Sequence, residues 1–87
     1  ASGDVWVNYH PVQLSPKQYA LFSLLWERRG RVCSKDEIAG AVWPECKSDI
    51  YDYQIESLVK RLRTKLEPDP AQPALLVTVR GRGYRLA

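Results

Sequence analysis

Apolar residues recur at helical spacing in three segments of this 87-residue chain. The clearest periodicity covers residues 52–66, where four apolar residues fall on one line at about 100° per residue. These residues are Ile55, Val59, Leu62 and Leu66. Two earlier segments of the same kind begin at Ser15 and Ser34. The pattern predicts three amphipathic helices that turn their apolar faces towards one core.

Start signals mark the first two of these helices. Ser15 and Gln18 form a capping box, in which each side chain accepts a hydrogen bond from the other residue's backbone N–H. Ser34 and Glu37 repeat this arrangement. Proline is favoured at the first helical position, which Pro16 would occupy. We therefore expect a helix to begin directly after each serine.

The first helix is expected to carry a wide apolar stripe and to end at Gly30. The stripe consists of Leu21, Leu24, Leu25 and Arg28 on one side, flanked by Tyr19 or Phe22, in a segment that continues through Trp26. Because a domain of this size has little interior, these aromatic residues are expected to be mostly buried core residues. Gly30 can adopt the left-handed conformation that commonly caps a helix.

A polar connector, residues 44–51, separates the second helix from the third. The apolar face of the second helix is made of Ile38, Ala39, Val42 and Trp43. Pro44 stops that helix, because its ring clashes with a continuing helical backbone. The expected N-cap of the third helix is Ser48, Asp49 or Asp52.

Short β-type runs lie near both ends of the chain. Residues 5–8 and 12–14 are separated by a predicted turn at residues 9–11, with His10 in the turn and Trp6 covering the core. Residues 67–73 form a proline-stiffened loop with no periodic pattern. The sequence thus predicts a short N-terminal hairpin before the helices.

A second predicted hairpin closes the chain. Along residues 75–79, Leu75, Val77 and Val79 are expected to point inward, and Thr78 and Arg80 outward. Gly81 and Gly83 permit a tight turn back into residues 84–86. This turn places Arg80 and Arg82 at or beside an exposed tip.

Together these elements predict an α+β domain of three helices with a short N-terminal β-hairpin and a C-terminal β-hairpin. An apolar content of 45% and a charged content of 26% suit one small globular domain, placed at residues 5–87. Residues 1–4 are expected to be a disordered remnant or a linker. No apolar run approaches the roughly 18 residues of a membrane span, and no signal-peptide pattern is present. We therefore expect a cytoplasmic protein with no membrane partner.

Positive charge is concentrated at the end of the chain. Residues 1–59 hold six Lys and Arg against eight Asp and Glu, whereas residues 60–87 hold seven against two. Segregation of this kind is typical of a surface that faces a polyanion, although a solvated face would also show it.

The third helix carries the main functional signal. Opposite its apolar line lie Tyr53, Gln54, Ser57, Lys60, Arg61 and Thr64, without a carboxylate among them. Exposed helices usually mix charges to gain i,i+4 pairs, and here only Glu56 and Lys60 offer one. A helix with a basic face beside a basic hairpin is what reading double-stranded DNA requires.

Metal and enzyme chemistry find little support in the sequence. Cys33, Cys46 and His10 do not supply a set of four zinc ligands, and two cysteines without a secretory signal indicate reduced thiols. Neither a nucleophile elbow nor a phosphate-binding glycine loop is present. We expect no cofactor and no enzymatic activity.

Several motifs carry a resemblance to a known family. They are residues 14–22 (Leu-Ser-Pro-Lys-Gln-Tyr-Ala-Leu-Phe), 30–32, 34–38, 41–43, 59–66 and 78–86. The chain resembles the C-terminal effector domain of OmpR/PhoB-type bacterial response regulators, a winged helix-turn-helix, over residues 12–87. The long connector is a further mark of that family. The chain departs from the pattern in three ways: two N-terminal strands are expected instead of four, Leu58 stands where a polar residue is common, and these 87 residues, which could be a fragment, include no receiver domain.

The resemblance implies that the third helix enters the major groove and the C-terminal hairpin, the wing, touches the minor groove. It assigns base contacts to Arg61, Arg63 and Ser57, phosphate contacts to Tyr53, Gln54 and Lys60, and a minor-groove contact to Arg80. With the remaining polar and basic residues of the helix and wing, the expected DNA-binding set is Tyr53, Gln54, Ser57, Lys60, Arg61, Arg63, Thr64, Lys65, Arg80, Arg82 and Arg85.

The resemblance also implies partners. The connector matches a loop through which some members contact RNA polymerase, here with Pro44, Glu45, Lys47 and Asp49. We expect a monomer in solution that binds direct repeats of double-stranded DNA as a head-to-tail dimer. The alternative is a winged helix used as a protein–protein or RNA-binding module.

Overall fold

The computed structural model describes residues 4–7, 10–46 and 50–87, and the side chains of those ranges from residue 12 onward. Its elements are β1 (Asp4–Val7), β2 (His10–Gln13), α1 (Pro16–Glu27), α2 (Lys35–Val42), α3 (Asp52–Leu66), β3 (Leu76–Val79) and β4 (Gly83–Leu86). The predicted order of hairpin, three helices and hairpin is confirmed. The fold is a winged helix-turn-helix.

The N-terminal hairpin is shifted from its predicted position. β1 and β2 pair antiparallel, with Val5 opposite Val12 and Val7 opposite His10. His10, expected in the turn, therefore belongs to a strand, and so does the proline after it. Proline is tolerated there because a two-stranded sheet leaves an open edge on each strand. β1 begins at Asp4, inside the stretch expected to be a linker, and the side chain of Trp6 lies outside the described residues.

The start of α1 is as predicted, but its surface is not. The Ser15 hydroxyl accepts from the Gln18 N–H (3.2 Å), and the Gln18 side chain accepts from the Ser15 N–H (2.9 Å). Tyr19 and Trp26 are exposed, Trp26 by 53%, so the expectation of a mostly buried aromatic stripe was wrong there. The helix buries only the side that packs against its neighbouring elements, which is centred on Leu21.

α1 also ends earlier than predicted, at Glu27, with Arg28 at the cap. Gly30 follows in the left-handed region (φ 80°) and reverses the chain. Its N–H donates to the carbonyl of Leu86 (3.0 Å), which ties this turn to β4.

α2 begins at its predicted capping box and ends before Trp43. The Ser34 hydroxyl accepts from the Glu37 N–H (3.1 Å), and the Glu37 side chain accepts from the Ser34 N–H (3.0 Å). Ile38 and Val42 are buried, whereas Ala39 and Trp43 are partly buried. The predicted apolar face is thus confirmed.

α3 provides the largest share of the core. Its buried residues are Ile55, Leu58, Val59, Leu62 and Leu66. Leu58, placed at the edge of the apolar line, is 7% exposed, which accounts for an apolar residue at that position. The N-cap is Tyr51 and not Asp52, and the other two expected caps, Ser48 and Asp49, lie outside the described residues. The Gln54 side chain accepts from the Tyr51 N–H (3.0 Å).

The wing differs from the prediction at Leu75 and Leu76, whereas Val77 and Val79 are half-buried and Thr78 and Arg80 are exposed, as predicted. β3 and β4 pair antiparallel, with Leu76 opposite Leu86 and Thr78 opposite Tyr84. Leu76 is fully buried and Leu75 is 38% exposed, so the expectation that Leu75 points inward was wrong. The hairpin face that carries Leu76, Tyr84 and Leu86 packs on the core.

Gly83 holds the base of the wing against the rest of the domain. Tyr84 exchanges two backbone hydrogen bonds with Cys33 (2.8 and 3.0 Å). A Cβ on Gly83 would lie 2.0 Å from the Cys33 carbonyl oxygen, and φ at Gly83 is 144°. Only glycine allows so close an approach of the two backbones.

Candidate nucleic-acid interface

The outer face of α3 is exposed and free of carboxylates. Its exposed residues are Tyr53, Ser57, Lys60, Arg61 and Thr64, with Gln54 half-buried at one margin. The Thr64 hydroxyl donates to the Lys60 carbonyl (3.0 Å), which holds that side chain against the helix. We call these six residues the α3 face.

The wing borders one side of the α3 face. Arg63 donates to the Thr78 hydroxyl (2.8 Å), and a groove of about 570 Å³ runs between the wing turn, the start of α2 and Glu56. A helical wheel places Glu56 and Arg63 next to Lys60, on the side away from Arg61. Lys60 is therefore the residue of the face nearest to the wing.

The start of α1 borders the opposite side. A second groove is lined by α1 residues, by Trp43 and by four residues of the face, including Ser57 and Arg61. The α3 face thus lies between the wing and the start of α1, and Arg61 points to the α1 side.

Arg63 differs from the other predicted base-contacting residues. Its Nε donates to the Leu76 carbonyl (2.9 Å), and its guanidinium lies 5.9 Å from the centre of the Tyr84 ring. Together with the bond to Thr78, these contacts direct Arg63 towards β3, whereas Arg61 is exposed on the helix.

Lys65 also has a partner within the domain. Its ammonium group donates to the Gln13 carbonyl (2.7 Å) and so connects the last turn of α3 to the N-terminal hairpin. The side chain remains exposed.

The wing presents its arginines to solvent, as predicted. Arg80 and Arg82 are exposed in the turn, which is closed by a hydrogen bond from the Arg82 N–H to the Val79 carbonyl (3.0 Å). Gly81 in this turn has a φ of 75°. Arg85 is exposed on the hairpin face opposite Tyr84, because side chains alternate along a strand.

Comparisons with known proteins match this geometry. A model of the family of transcriptional regulatory proteins, C-terminal domain, matches residues 9–86. The chain belongs to this family. Sensory transduction protein RegX3 of Mycolicibacterium smegmatis is 41% identical over 81 residues, which is 92% of this chain and 35% of RegX3. A probable transcriptional regulatory protein of Picosynechococcus sp. is 42% identical over 93% of this chain and 32% of its own length. The chain therefore spans about a third of these relatives.

Solved effector domains share the fold. The DNA-binding domain of Klebsiella pneumoniae RstA, in complex with the RstA box, superposes with a TM-score of 0.83 at 25% identity and covers 97% of this chain and 82% of that one. The DNA-binding domain of response regulator AdeR, in complex with an intercistronic region, gives 0.80 at 27%, covering 98% and 85%. The chain is an OmpR/PhoB-type effector domain, a sequence-specific DNA-binding unit of transcriptional regulators.

Lys35 of this effector domain is a site residue that the sequence did not reveal. It lies 3.2 Å from Asp52 and 3.4 Å from Glu56, the two carboxylates of the first turns of α3. The hydrogen bond to Asp52, followed by that to Glu56, raises the pKa of Lys35 above its ordinary value. Both carboxylates beside the α3 face are thereby paired.

Tyr51 was also missed. It is exposed by 59% and stacks on Tyr53, with 5.8 Å between ring centres. An aromatic residue directly before a predicted helix gave a weak signal, because the N-cap was expected elsewhere. The start of α3 consequently presents two tyrosines beside the basic residues.

The connector of the effector domain is only partly described. Pro44 and Glu45 are exposed, and Lys47 and Asp49 lie outside the described residues. Lys17 approaches Glu45 (3.3 Å), donates to the Val42 carbonyl (3.2 Å) and so fixes the start of the connector to α1. The pKa of Glu45 is lowered, first by a hydrogen bond with its own backbone and then by Lys17.

The described part of the effector domain offers no second chemistry. Cys33 is buried and Cys46 exposed, and neither forms a disulfide. Among the described residues no three His, Cys, Asp or Glu cluster as metal ligands would. No helix found there has the length and apolar character needed to cross a membrane.

Proposed function

We propose that this domain reads double-stranded DNA by placing α3 in the major groove and the wing in the adjacent minor groove. The observation that carries the proposal is the exposed, carboxylate-free α3 face with the wing at its margin. A major groove about 12 Å wide admits an α-helix, and a basic face lowers the cost of approaching phosphates on both sides.

Arg61 is the best candidate for reading a base. It is exposed on the α3 face, and a guanidinium can donate two hydrogen bonds to guanine O6 and N7, worth about 1–3 kcal/mol of discrimination. Arg63 would have to give up its bonds to β3 first. Ser57, next to Arg61 on the face, is placed to contact a neighbouring base.

Phosphate contacts are assigned to residues at the margins of the α3 face. Lys60, Tyr53 and Gln54 can hold the backbone without reading sequence, and Thr64 can assist them. Arg82 and Arg85 add positive charge on the wing. Lys65 adds positive electrostatic potential more than a direct contact with DNA, since its ammonium group donates a hydrogen bond to the N-terminal hairpin.

Arg80 is assigned to the minor groove. It is exposed at the wing turn, and a narrow, A·T-rich minor groove has an enhanced negative potential that favours an arginine. The arginine and the α3 face then contact successive grooves of one duplex.

Two copies are proposed to bind direct repeats head to tail, because one domain contacts too few base pairs for genomic specificity. The connector with Pro44, Glu45, Lys47 and Asp49 is proposed to meet RNA polymerase. We place the whole protein in the bacterial cytoplasm, where the duplex target is. A protein-binding role is not favoured, since the α3 face exposes lysine and arginine instead of aliphatic residues. An RNA-binding role is not favoured either, since the RstA and AdeR domains that share the fold are solved in complex with the RstA box and an intercistronic region.

Paired alanine variants test the proposal. Arg61→Ala should lose preference at one or two base pairs, by about tenfold or more. Lys60→Ala should weaken binding to all sequences alike and reduce the dependence of affinity on salt. Footprinting titrations at two salt concentrations, on duplexes selected from a random pool, separate the two effects. Equal, sequence-independent losses for both variants would refute the assignment.

A further inference from the structure

The side chain of Arg63, in the last turn of α3, and that of Glu67, the residue directly after the helix, bind the backbone of one wing residue. Glu67 accepts from the Leu76 N–H (2.7 Å), and Arg63 donates to the Leu76 carbonyl (2.9 Å). The Glu67 N–H donates to the Arg63 carbonyl (2.8 Å), which keeps the two residues together at the end of α3, and both side chains reach the first residue of β3. In an antiparallel pair, the backbone groups of alternate residues point away from the partner strand. Those of Leu76 point away from β4, towards α3.

Glu67 extends this contact along the start of the wing. Its carboxylate accepts hydrogen bonds from three consecutive backbone N–H groups, those of Ala74, Leu75 and Leu76, at 2.7 to 3.1 Å. The residue is 6% exposed, although it is charged. A buried carboxylate is retained at little cost only where donors surround it, as they do here.

Arg63 continues the contact towards the wing tip. Its second donor binds the Thr78 hydroxyl (2.8 Å), two residues before Arg80. The other edge of the wing is fixed independently, by the backbone pairing of Tyr84 with Cys33. Both edges of the hairpin are therefore attached, one to the body of the domain and one to the helix that carries the α3 face.

We infer that Arg63 and Glu67 are positioning residues that set the direction of the wing relative to α3. They act on DNA through Arg80 and do not read bases themselves. This inference rests on the proposed contacts of α3 and the wing, and it assigns Arg63 a different role from base reading. The minor-groove contact of Arg80 thereby depends on α3 through the backbone of Leu76. A substitution at Glu67 or Arg63 would move Arg80 without changing the residues of the α3 face.

A double-mutant cycle tests the inference on the duplex that the unmodified domain selects from a random pool. Glu67→Gln replaces one accepting oxygen by a donor, and should weaken binding by up to about tenfold, because the misdirected wing loses the contact of Arg80 with DNA. In an Arg80→Ala background the same change should cost less than about twofold, because the positioned contact is gone. In an Arg61→Ala background the full loss should persist. Equal losses in both backgrounds would overturn the inference.

Two further readouts separate positioning from other roles. Arg63→Lys keeps the charge but cannot make both bonds, so it should behave like Glu67→Gln; unchanged affinity would contradict the assignment. Changing A·T to G·C pairs under the wing should penalise the unmodified domain but not Glu67→Gln, while preference under α3 remains in both.

Unfolding of a variant and failure of the proposed function can both be distinguished from failure of the inference. If circular dichroism shows Glu67→Gln unfolded, Thr78→Val removes one bond of Arg63 at an exposed position, and the same non-additivity with Arg80→Ala is expected. An unmodified domain that selects no sequence would refute the proposed function. An unmodified domain that selects sequence, together with additive losses, refutes the inference alone.

Discussion

Lys35 shows how a single residue changes the electrostatic potential beside the α3 face. Asp52 and Glu56 are both exposed at the start of α3. The helix dipole stabilises a carboxylate there, but the same carboxylate would repel a DNA phosphate. Lys35 pairs with both. The helix thus retains its acidic start, with one of the two negative charges compensated by Lys35.

Removing this lysine should weaken DNA binding. For Lys35→Met we expect a loss of about two- to fivefold at low salt, in line with the modest worth of exposed charges, and a smaller loss at high salt. Removing the two unpaired carboxylates as well, with Asp52→Asn and Glu56→Gln, should recover affinity. Arg29→Met, which removes an equal charge from an arginine stacked on Trp26, is the control. Equal losses for both variants in anisotropy titrations would contradict this role.

Tyr84 should make the domain less stable at alkaline pH. Burial raises its pKa above the ordinary 10.0. In the unfolded chain the phenol ionises near 10.0 while the folded one stays neutral, so stability is complete below that pH and falls as pH rises further. The raised pKa of Lys35 adds a loss of the same sign above 10.5.

Tyr84→Phe should therefore flatten the alkaline decline without abolishing it. The slope of the free energy of unfolding against pH should differ by at most about 1.4 kcal/mol per pH unit, the limit for one proton. Urea titrations between neutral pH and about 11 measure it. The contribution of Lys35 should remain in the variant, and parallel curves for the two proteins would show that Tyr84 does not titrate as proposed.

At the scale of elements, local signals predicted helices better than strands. Both capping boxes lie within four residues, so Ser15 and Ser34 could be read directly as helix starts. The wing could not be read in this way. Leu75, Val77 and Val79 alternate as an inward face would, and Val77 and Val79 are indeed half-buried. Leu75, however, is exposed, and Leu76 is fully buried in its place because it packs on the core.

In the candidate site, too, local features could be predicted from the sequence and long-range contacts could not. Helical periodicity predicted the exposure of Lys60 and Arg61, because it depends on α3 alone. The partners of Arg63 lie 13 and 15 residues away, and Lys35 is 17 residues from Asp52. Contacts at such separations follow from the tertiary arrangement, which a single sequence does not encode at any fixed spacing.

Because β4 is attached to Cys33 beside Gly83, alanine substitutions at the two wing glycines should lower the free energy of unfolding by very different amounts. Gly83→Ala would drive a methyl group into the Cys33 carbonyl and break the pairing with Tyr84, so we expect a loss of about 3 kcal/mol or more. Gly81→Ala has a left-handed backbone but open space, and should cost about 1–2 kcal/mol. Urea denaturation compares them, and equal losses would mean that the close approach is not a stability determinant.

At the scale of the whole molecule, the domain is small relative to its target. Its principal extents are 38 × 29 × 21 Å, comparable to one turn of duplex at about 34 Å. In the proposed complex, one α3 and one wing would contact successive grooves over a single turn. Discrimination of a genomic site, at about 1–3 kcal/mol per base pair, requires more contacts than one copy makes.

Two copies on one duplex, as proposed, would supply those contacts, and their arrangement is testable. The α3 face lies between two unlike borders, the wing and the start of α1. Neighbouring copies in the same orientation would bring unlike borders together, which favours direct over inverted repeats. Sedimentation should give a monomer without DNA, and gel shifts should show tighter binding to two direct half-sites one turn apart than to an inverted pair of equal spacing. Full affinity for a single half-site would refute the tandem arrangement, because the second copy would then add nothing.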